Sequence, residues 1–350
     1  MRMQEFHEAR VFYSDRRAME KVERLLAKEG IQKDDNLEYT MGIYRQDELV
    51  ATGSFFKNTL RCLAVDSEYQ GEGLLNKVLT HLLHIQFDRG NTEVFLYTKG
   101  DKAKFFADLG FYEIASVDDV VVFMENRATG FSDYLTDLAK KKVSGTSIAA
   151  IVVNANPFTL GHQYVIEQAA QENDALHIFV VSEDVSIVPF AVRYDLVQKG
   201  TAHLSNVVLH KTGNYLISNA TFPSYFLKDA DAVIEAHARL DIEIFKNNIA
   251  RCLEITKRYL GEEPFSHVTG IYNAIMKIEL EKAGIACIVL NRKLAGGEPI
   301  SASKVRQIIH DGDLDKIKPL VPQTTYDFFQ SAASAEVIKK IQQTENVIHY

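Results

Sequence analysis

The sequence predicts an α/β protein of two domains. An α+β domain over residues 1–127 and a parallel-sheet α/β domain over 147–350, with a helical C-terminal tail, are joined by a helical linker, 128–146. Three observations predict this. At 350 residues the chain is longer than one hydrophobic core ordinarily serves. A helical pattern at Phe131, Tyr134, Leu135 and Leu138 runs into Lys140, Lys141 and Lys142, then Ser144, Gly145 and Thr146, which is the composition of a surface connection. Beyond that seam the rhythm becomes strand, helix, strand, helix, implying a parallel sheet with helices on both faces.

In the first domain, Tyr39–Tyr44 and Leu49–Phe56 read as a hairpin around Arg45–Glu48. Leu60–Val65 is a further strand, and Leu75, Val78, Leu79, Leu82 and Leu83 give Leu74–Phe87 helical spacing. Val94–Thr98 reads as a strand, Lys102–Leu109 as a helix, and a return strand starts at Phe111. In the second domain Ile148–Val153, Leu176–Val181, Val207–His210, Ile255–Leu260 and Ile285–Leu290 read as strands. His162–Glu172, Ala191–Ala202 and Ser303–His310 read as helices.

Composition narrows the function. Hydrophobic residues at 46% and charged residues at 25% fit an ordinary soluble globular protein. A net charge of −8 gives nucleic-acid binding no electrostatic footprint. No stretch approaches the ~20 apolar residues of a membrane span, and Met1–Arg17 lacks the apolar core of a signal peptide. Cys62, Cys252 and Cys287 stand far apart, as reduced cysteines and not as a disulfide framework or zinc site. The expectation is a cytoplasmic protein with no nucleic-acid or membrane partner.

The chemistry concentrates after two strands. Asn154-Ala155-Asn156-Pro157-Phe158-Thr159-Leu160-Gly161-His162 follows one strand and opens a helix. Gly161 lets a phosphate approach the backbone, the helix N-terminus points N–H groups at it, and Thr159 and His162 add side-chain donors. His162 could equally be an ordinary helix-capping residue. The second segment, Ile300-Ser301-Ala302-Ser303-Lys304-Val305-Arg306, offers two hydroxyls, another helix N-terminus and an arginine one turn inside. Its alternative is a Ser-capped helix with solvated Lys304 and Arg306. Arg193 could also serve a phosphate, although an exposed helix face is the simpler reading of its position.

The two segments together resemble the nucleotidylyltransferase superfamily, whose signatures are His/Thr-x-Gly-His and Ile-Ser-Ser-Thr/Ser-x-x-Arg. Thr159–His162 matches the Thr form, and Ile300–Arg306 matches the second with Ala302 replacing a hydroxyl residue. The resemblance implies a Rossmann-like domain that binds ATP through Asn154, Asn156, Pro157, Phe158, Gly161, Gly261, Ser301, Ser303 and Lys304. It assigns catalysis to Thr159, His162 and Arg306. Thr159 and His162 would touch the α- and β-phosphates, and Ser301, Ser303 and Arg306 the β- and γ-phosphates. Gly261-Glu262-Glu263 matches that superfamily's Gly-acid turn. Mg²⁺ would arrive on the triphosphate, with no tightly bound cofactor and no dedicated metal site.

Glu68-Tyr69-Gln70-Gly71-Glu72-Gly73-Leu74-Leu75 resembles the pyrophosphate loop of the GNAT acetyltransferase superfamily, except that Leu75 stands where Gly or Ala is usual. Phe105–Phe111 resembles that superfamily's late helix-to-strand segment. Val65, Gln70, Gly71 and Gly73 are the pantetheine-binding candidates this implies. His81 and His84 read as packing and surface residues, not metal ligands.

A GNAT-like domain fused to an adenylylating domain resembles the citrate (pro-3S)-lyase ligase family, as do Ser218–Phe226 and Val321–Thr325. Membership would imply that acetate and ATP form acetyl-AMP. The acetyl group would then pass to the thiol of the coenzyme-A-like prosthetic group on citrate lyase's acyl carrier subunit. Two alternatives stand beside it. One is an adenylyltransferase of the phosphopantetheine or nicotinamide mononucleotide type. The other is a protein acetyltransferase with a nucleotide-sensing domain.

Overall fold

The computed structural model of the protein describes residues 6–118, 120–216, 222, 230–262 and 267–347. Of the segments singled out above, Ser218–Phe226 apart from Phe222, and Glu263, lie outside the described residues. The described residues group into two units, one within Met1–Asp133 and Thr221–Glu243, the other within Tyr134–Ala220 and Ile244–Tyr350.

The first unit contains β1 (Phe6–Val11), α1 (Arg16–Lys28), β2 (Tyr39–Arg45), β3 (Glu48–Phe56), β4 (Thr59–Val65), α2 (Leu74–Asp88), β5 (Phe95–Thr98), α3 (Gly100–Asp108), β6 (Tyr112–Val117) and β7 (Val121–Glu125). The strands form one sheet in the order β1-β2-β3-β4-β5-β7-β6, antiparallel except where β4 meets β5. That parallel pairing spans only Thr59 with Phe95 and Leu60 with Leu96, and β4 continues to Val65 paired with β3 alone. The helical spacing read from α2 buries Leu74, Val78, Leu79 and Leu82 against the sheet. Gly53 makes room for this, because a Cβ there would come within 2.4 Å of Val78 Cγ1. The α1 helix buries Met19, Val22, Leu25 and Leu26, and Asp15 caps it by accepting from Ala18 N–H at 3.1 Å. A buried ion pair, Arg61 Nη1 to Asp34 Oδ2 at 2.8 Å, fixes the α1–β2 connection to β4.

α4 (Gly130–Ala139) leads into the second unit. There follow β8 (Ile148–Val153), α5 (Leu160–Gln171), β9 (Ala175–Val180), α6 (Phe190–Gly200) and β10 (Val207–Lys211), and then α7 (Ala230–Ile244), which up to Glu243 belongs to the first unit. A π-helical turn, Phe245–Ile249, separates α7 from α8 (Ala250–Leu253). The chain continues through β11 (Lys257–Gly261), α9 (His267–Lys282), β12 (Ala286–Leu290), the two-residue strands β13 (Leu294–Ala295) and β14 (Glu298–Pro299), α10 (Ala302–His310), α11 (Gln323–Gln330) and α12 (Ala335–Gln343). The five-stranded sheet is wholly parallel in the order β10-β9-β8-β11-β12. The chain winds outward from β8 in one direction, then returns to its other side with β11. Such a reversal leaves a crevice at the carboxyl ends of β8 and β11, where sheets of this kind bind ligands. One face of the sheet packs on α5 through Ile151, Ile178, Val180 and Tyr259.

The opposite face is more polar. His177 on β9 and His210 on β10 are buried, with Nδ1 of the first and Nε2 of the second 2.8 Å apart. One ring donates and the other accepts in that contact. Burial pushes His177 down to about 4, and burial followed by the neighbouring His177 and Lys141 pushes His210 down to about 3. The linkage has a definite sign. Between pH 6.5 and 4 the unfolded chain takes up protons that these rings refuse when folded, so their contribution is complete above pH 6.5 and declines below it. The urea midpoint of the wild type is expected to fall between pH 7 and pH 5. The double replacement His177→Phe with His210→Leu should flatten that fall. Equal slopes in both proteins would show that the pair does not couple to acid unfolding.

Candidate functional site

The crevice at the carboxyl ends of β8 and β11 is where the two predicted phosphate segments meet. After β8 the chain turns through Ala155, which has a left-handed φ of 53°, and a cis Asn156–Pro157 peptide. Phe158 is buried in the core, where it fills the space beside Gly200 that a Cβ would occupy. Thr159 then caps α5: its hydroxyl accepts from His162 N–H at 3.3 Å, and its own N–H donates to His162 Nδ1 at 3.1 Å. The Thr159 hydroxyl is therefore engaged with His162 and only 1% of the residue is exposed.

His162 does cap its helix, and that does not exclude a second task. Its Nδ1 receives the Thr159 N–H, so in the neutral ring the proton sits on Nε2, which makes no hydrogen bond among the described residues. Burial, and after it the nearby Arg292 guanidinium, pushes His162 down to about 4. The ring is neutral at ordinary pH and presents one N–H donor.

Gly161 has a role that spacing alone did not reveal. A Cβ at this position would lie 3.3 Å from the Ile300 carbonyl oxygen and 3.7 Å from Ile300 Cβ. The first segment is pressed against the start of the second. There Ser301 caps α10 by accepting from Lys304 N–H at 3.1 Å, and Ser303 Oγ donates to Ser301 Oγ at 3.2 Å. Lys304 forms an ion pair with Glu298. Arg306 is not a solvated residue. It is 2% exposed, donating from Nη1 to the Asn156 carbonyl at 2.5 Å and from Nε to the Val347 carbonyl at 2.7 Å. Burial lowers it to about 10, so its charge persists at neutral pH.

Arg193 corrects the sequence reading more sharply. It lies not on an exposed helix face but at 0% exposure. Its Nη1 donates to the Asn154 carbonyl at 2.8 Å, to Asn154 Oδ1 at 2.9 Å and to the Val181 carbonyl at 2.7 Å. Nε reaches the Val188 carbonyl and Nη2 the Glu183 carbonyl. Periodicity misled here because α6 is covered on both sides. Asn156 Oδ1 accepts from Val188 N–H at 3.0 Å, which joins the same loops.

Gly261 closes β11 at the crevice, and Glu262 N–H continues the ladder to the Leu290 carbonyl at 2.8 Å. Arg292, unmarked by sequence reading, donates from Nε to the Glu262 carbonyl at 2.8 Å and lies close enough to depress His162. Its signal was positional: it follows the last parallel strand. Among the described residues no three His, Cys, Asp or Glu side chains group to hold a metal.

In the first unit, Val65 ends β4, and Gly71 and Gly73 hold left-handed φ values of 88° and 72° with open space around them. Gly73 is the N-cap of α2 and supplies no side-chain acceptor, leaving that helix start to its backbone N–H groups. Gln70 sits between the preceding 3₁₀ turn and Gly71, and Leu75 packs on the core. His81 Nε2 meets Tyr39 Oη at 2.8 Å, while His84 pairs with Asp88 on the surface.

A parallel sheet whose crossover gathers two helix N-termini defines a nucleotidylyltransferase-like α/β unit, here with a GNAT-like unit in the same chain. Residues 148–329 match the citrate lyase ligase C-terminal domain, and residues 3–111 match the acetyltransferase (GNAT) family. The chain is 38% identical to a citrate (pro-3S)-lyase ligase of Escherichia coli (strain K12), over 92% of this chain and 93% of that protein. It is 39% identical to one of Klebsiella pneumoniae, over 92% of this chain and 95% of that one. A Haemophilus influenzae protein of the same name is 35% identical, over 91% and 96%. The chain belongs to the citrate (pro-3S)-lyase ligase family of enzymes. Membership sets aside the two alternative readings, the free-standing adenylyltransferase and the protein acetyltransferase with a sensing domain.

The Gly161–Ile300 approach yields an expected outcome. Gly161→Ala should lower unfolding stability by about 1–3 kcal/mol, the cost of overpacking a tight contact. A urea midpoint equal to that of the wild type would show that the two segments part freely.

Proposed function

We propose that the chain is an acid–thiol ligase that uses ATP to acetylate citrate lyase, working in the cytoplasm. In the first step a carboxylate oxygen of acetate attacks the α-phosphorus of ATP. The bond to the α,β-bridging oxygen breaks, and pyrophosphate leaves with that electron pair. In the second step the sulfur of the coenzyme-A-like prosthetic group on the acyl carrier subunit attacks the carbonyl carbon of acetyl-AMP. AMP leaves, and the thiol proton passes to solvent. The observation that carries this reading is the meeting of the Thr159–His162 and Ile300–Arg306 segments at the sheet crossover. The names of the relatives point to the acceptor.

The chemistry forms no bond to the protein, so the residues act by position and charge. His162 Nε2–H donates to a phosphoryl oxygen as charge grows there, and Thr159 holds the ring in the tautomer that can do so. Gly161 and the first N–H groups of α5 face the α- and β-phosphates. Ser301, Ser303 and the start of α10 face the departing pyrophosphate. Asn154, Asn156, Pro157, Phe158 and Gly261 shape the floor, and Lys304 adds charge at its rim. Arg306, tied to Asn156, contributes its charge from beneath and fixes the loop. Mg²⁺ enters on the triphosphate. In the first unit the backbone around Val65, Gln70, Gly71 and Gly73 takes the pantetheine arm of the acceptor.

His162→Ala should lower acetate-dependent pyrophosphate–ATP exchange by ~10²–10³-fold, about 2.7–4 kcal/mol for one lost transition-state donor. His162→Asn, which keeps a capping acceptor near the Nδ1 position, should be nearly as impaired. Exchange above half the wild-type rate in either folded variant would reduce His162 to a cap.

The two units should also separate kinetically. Gly73→Ala strains a left-handed position in the proposed pantetheine loop, so thiol acetylation should drop by about tenfold or more while exchange is kept. Equal losses in both assays, or none in transfer, would remove the loop from the reaction.

A further inference from the structure

The two edges of the five-stranded sheet are finished differently. At β10, carbonyls that point away from β9 are covered from α4 and the turn after it. Tyr134 Oη donates to the Lys211 carbonyl at 3.3 Å, and Lys141 Nζ to the Leu209 carbonyl at 3.2 Å. At β12, Ala286 N–H donates to the Thr256 carbonyl, and the Leu290 carbonyl accepts from Glu262 N–H. In a parallel ladder these bonds turn Ala286, Ile288 and Leu290 toward β11 and direct the N–H and C=O of Cys287 and Val289 outward. Among the described residues nothing pairs with those outward groups.

The side chains leave the edge equally open. Ala286-Cys287-Ile288-Val289-Leu290 carries no charge and no proline, the devices that ordinarily keep a strand edge from pairing. Ile288 and Leu290 pack on the α5 core, so alternation puts Cys287 and Val289 on the opposite face. Burial raises the Cys287 thiol, and the charges that also act on it are Arg258, then Glu281 and Lys277 of α9, which places α9 over that face. Val289 is 48% exposed, and Ile278, on the same helical stripe as Lys277 and Glu281, is 54% exposed. Glu279 is taken by Lys246 and Lys282, whereas Lys277 and Glu281 form no ion pair among the described residues.

These features are self-complementary. A two-fold axis normal to the sheet through Ile288 sets the β12 of a second copy antiparallel to the first. Cys287 then stands opposite Val289 of the second copy, and the outward N–H and C=O of each satisfy those of the other. The two α9 helices lie side by side on one face and run in opposite directions. Lys277 of each copy is thereby brought toward Glu281 of the other, and Val289 and Ile278 are covered along the seam.

We propose that the β12 edge and the α9 stripe beside it form the interface with a second copy of this chain. The product is a two-fold dimer in which the parallel sheets join into one continuous sheet. The pairing does not depend on the adenylation reading, since its residues lie outside both phosphate segments.

The test is the mass of the full-length chain by sedimentation equilibrium over a wide range of concentration. The wild type should approach the mass of two chains. Val289→Lys, a change at an exposed position, should raise the dissociation constant by about tenfold or more, because it sets a charge against the partner strand. Lys277→Glu should also weaken the dimer, and adding Glu281→Lys to it should restore the affinity. Register is read by oxidation. Ile288 faces its own copy across the axis with Cα atoms about 4.5 Å apart, within reach of a disulfide. Ile288→Cys should therefore give a covalent dimer beyond the wild-type background, whereas Leu290→Cys, opposite Ala286 of the second copy, should not. A wild type with the mass of one chain throughout would overturn the interface. So would a dimer that neither Val289→Lys nor Lys277→Glu weakens, or crosslinking that is equal at positions 288 and 290.

Discussion

The Ile300 carbonyl oxygen approaches Gly161 closely, 3.3 Å from where any other residue would place its Cβ. On that approach depend the start of α5, the start of α10 and the distance between two helix ends whose unpaired N–H groups converge. Two further ties hold it. Leu160 N–H donates to the Leu320 carbonyl at 2.9 Å, and Arg306 bonds the Asn156 carbonyl. Segments about 150 residues apart in sequence are thus fastened at three points, two of them backbone contacts and the third a buried guanidinium on a backbone carbonyl. Packing alone already favours glycine here, apart from the phosphate role proposed for it.

Buried arginines perform the mechanical work of this unit. Arg193 and Arg306 both donate to the Asn154–Asn156 loop from opposite helices, and both take neutral carbonyl oxygens as acceptors. A carbonyl satisfies an N–H without cancelling the charge. For Arg193, Asp184 and Glu183 act only through space, raising it against the lowering by burial. The loop is therefore held by two buried guanidinium groups. Lysine could not replicate this, having no planar fork with which to reach several carbonyls at once.

Much of this was legible in the sequence, for identifiable reasons. Ile148–Val153 is an unbroken apolar run and forms β8 with those bounds, because a central parallel strand is buried on both faces. Leu74–Phe87 carries its core residues at helical spacing and forms α2, one residue longer. Strand Ile255–Leu260 is shifted to Lys257–Gly261, the usual uncertainty at element ends. The sequence reading did not mark β1, α1, β7, α7, the π-helical turn, α8 or α9. Their weak patterning has a cause in β1, an edge strand with exposed charges, where little apolar surface is needed. The juxtaposition of Arg306 with Asn156 was not legible, since which donor meets which carbonyl depends on tertiary packing. Arg193 failed for the same reason: an arginine buried by backbone acceptors leaves no mark in a hydrophobic pattern.

His162 shows how one residue satisfies both a local and a chemical demand. A helix start needs its early N–H groups and its N-cap N–H satisfied, and the Thr159–His162 box meets part of that need. A glutamate at position 162 would cap as well but would place a negative charge beside the proposed triphosphate position. Imidazole caps through Nδ1, stays neutral because burial and Arg292 oppose its protonation, and keeps a donor on Nε2. The capping bond fixes the tautomer, and the tautomer makes the donor. Replacing Thr159 would therefore disturb His162 through ring orientation even if no ligand ever touched the threonine hydroxyl, and the engaged hydroxyl indicates that its contribution runs along this route.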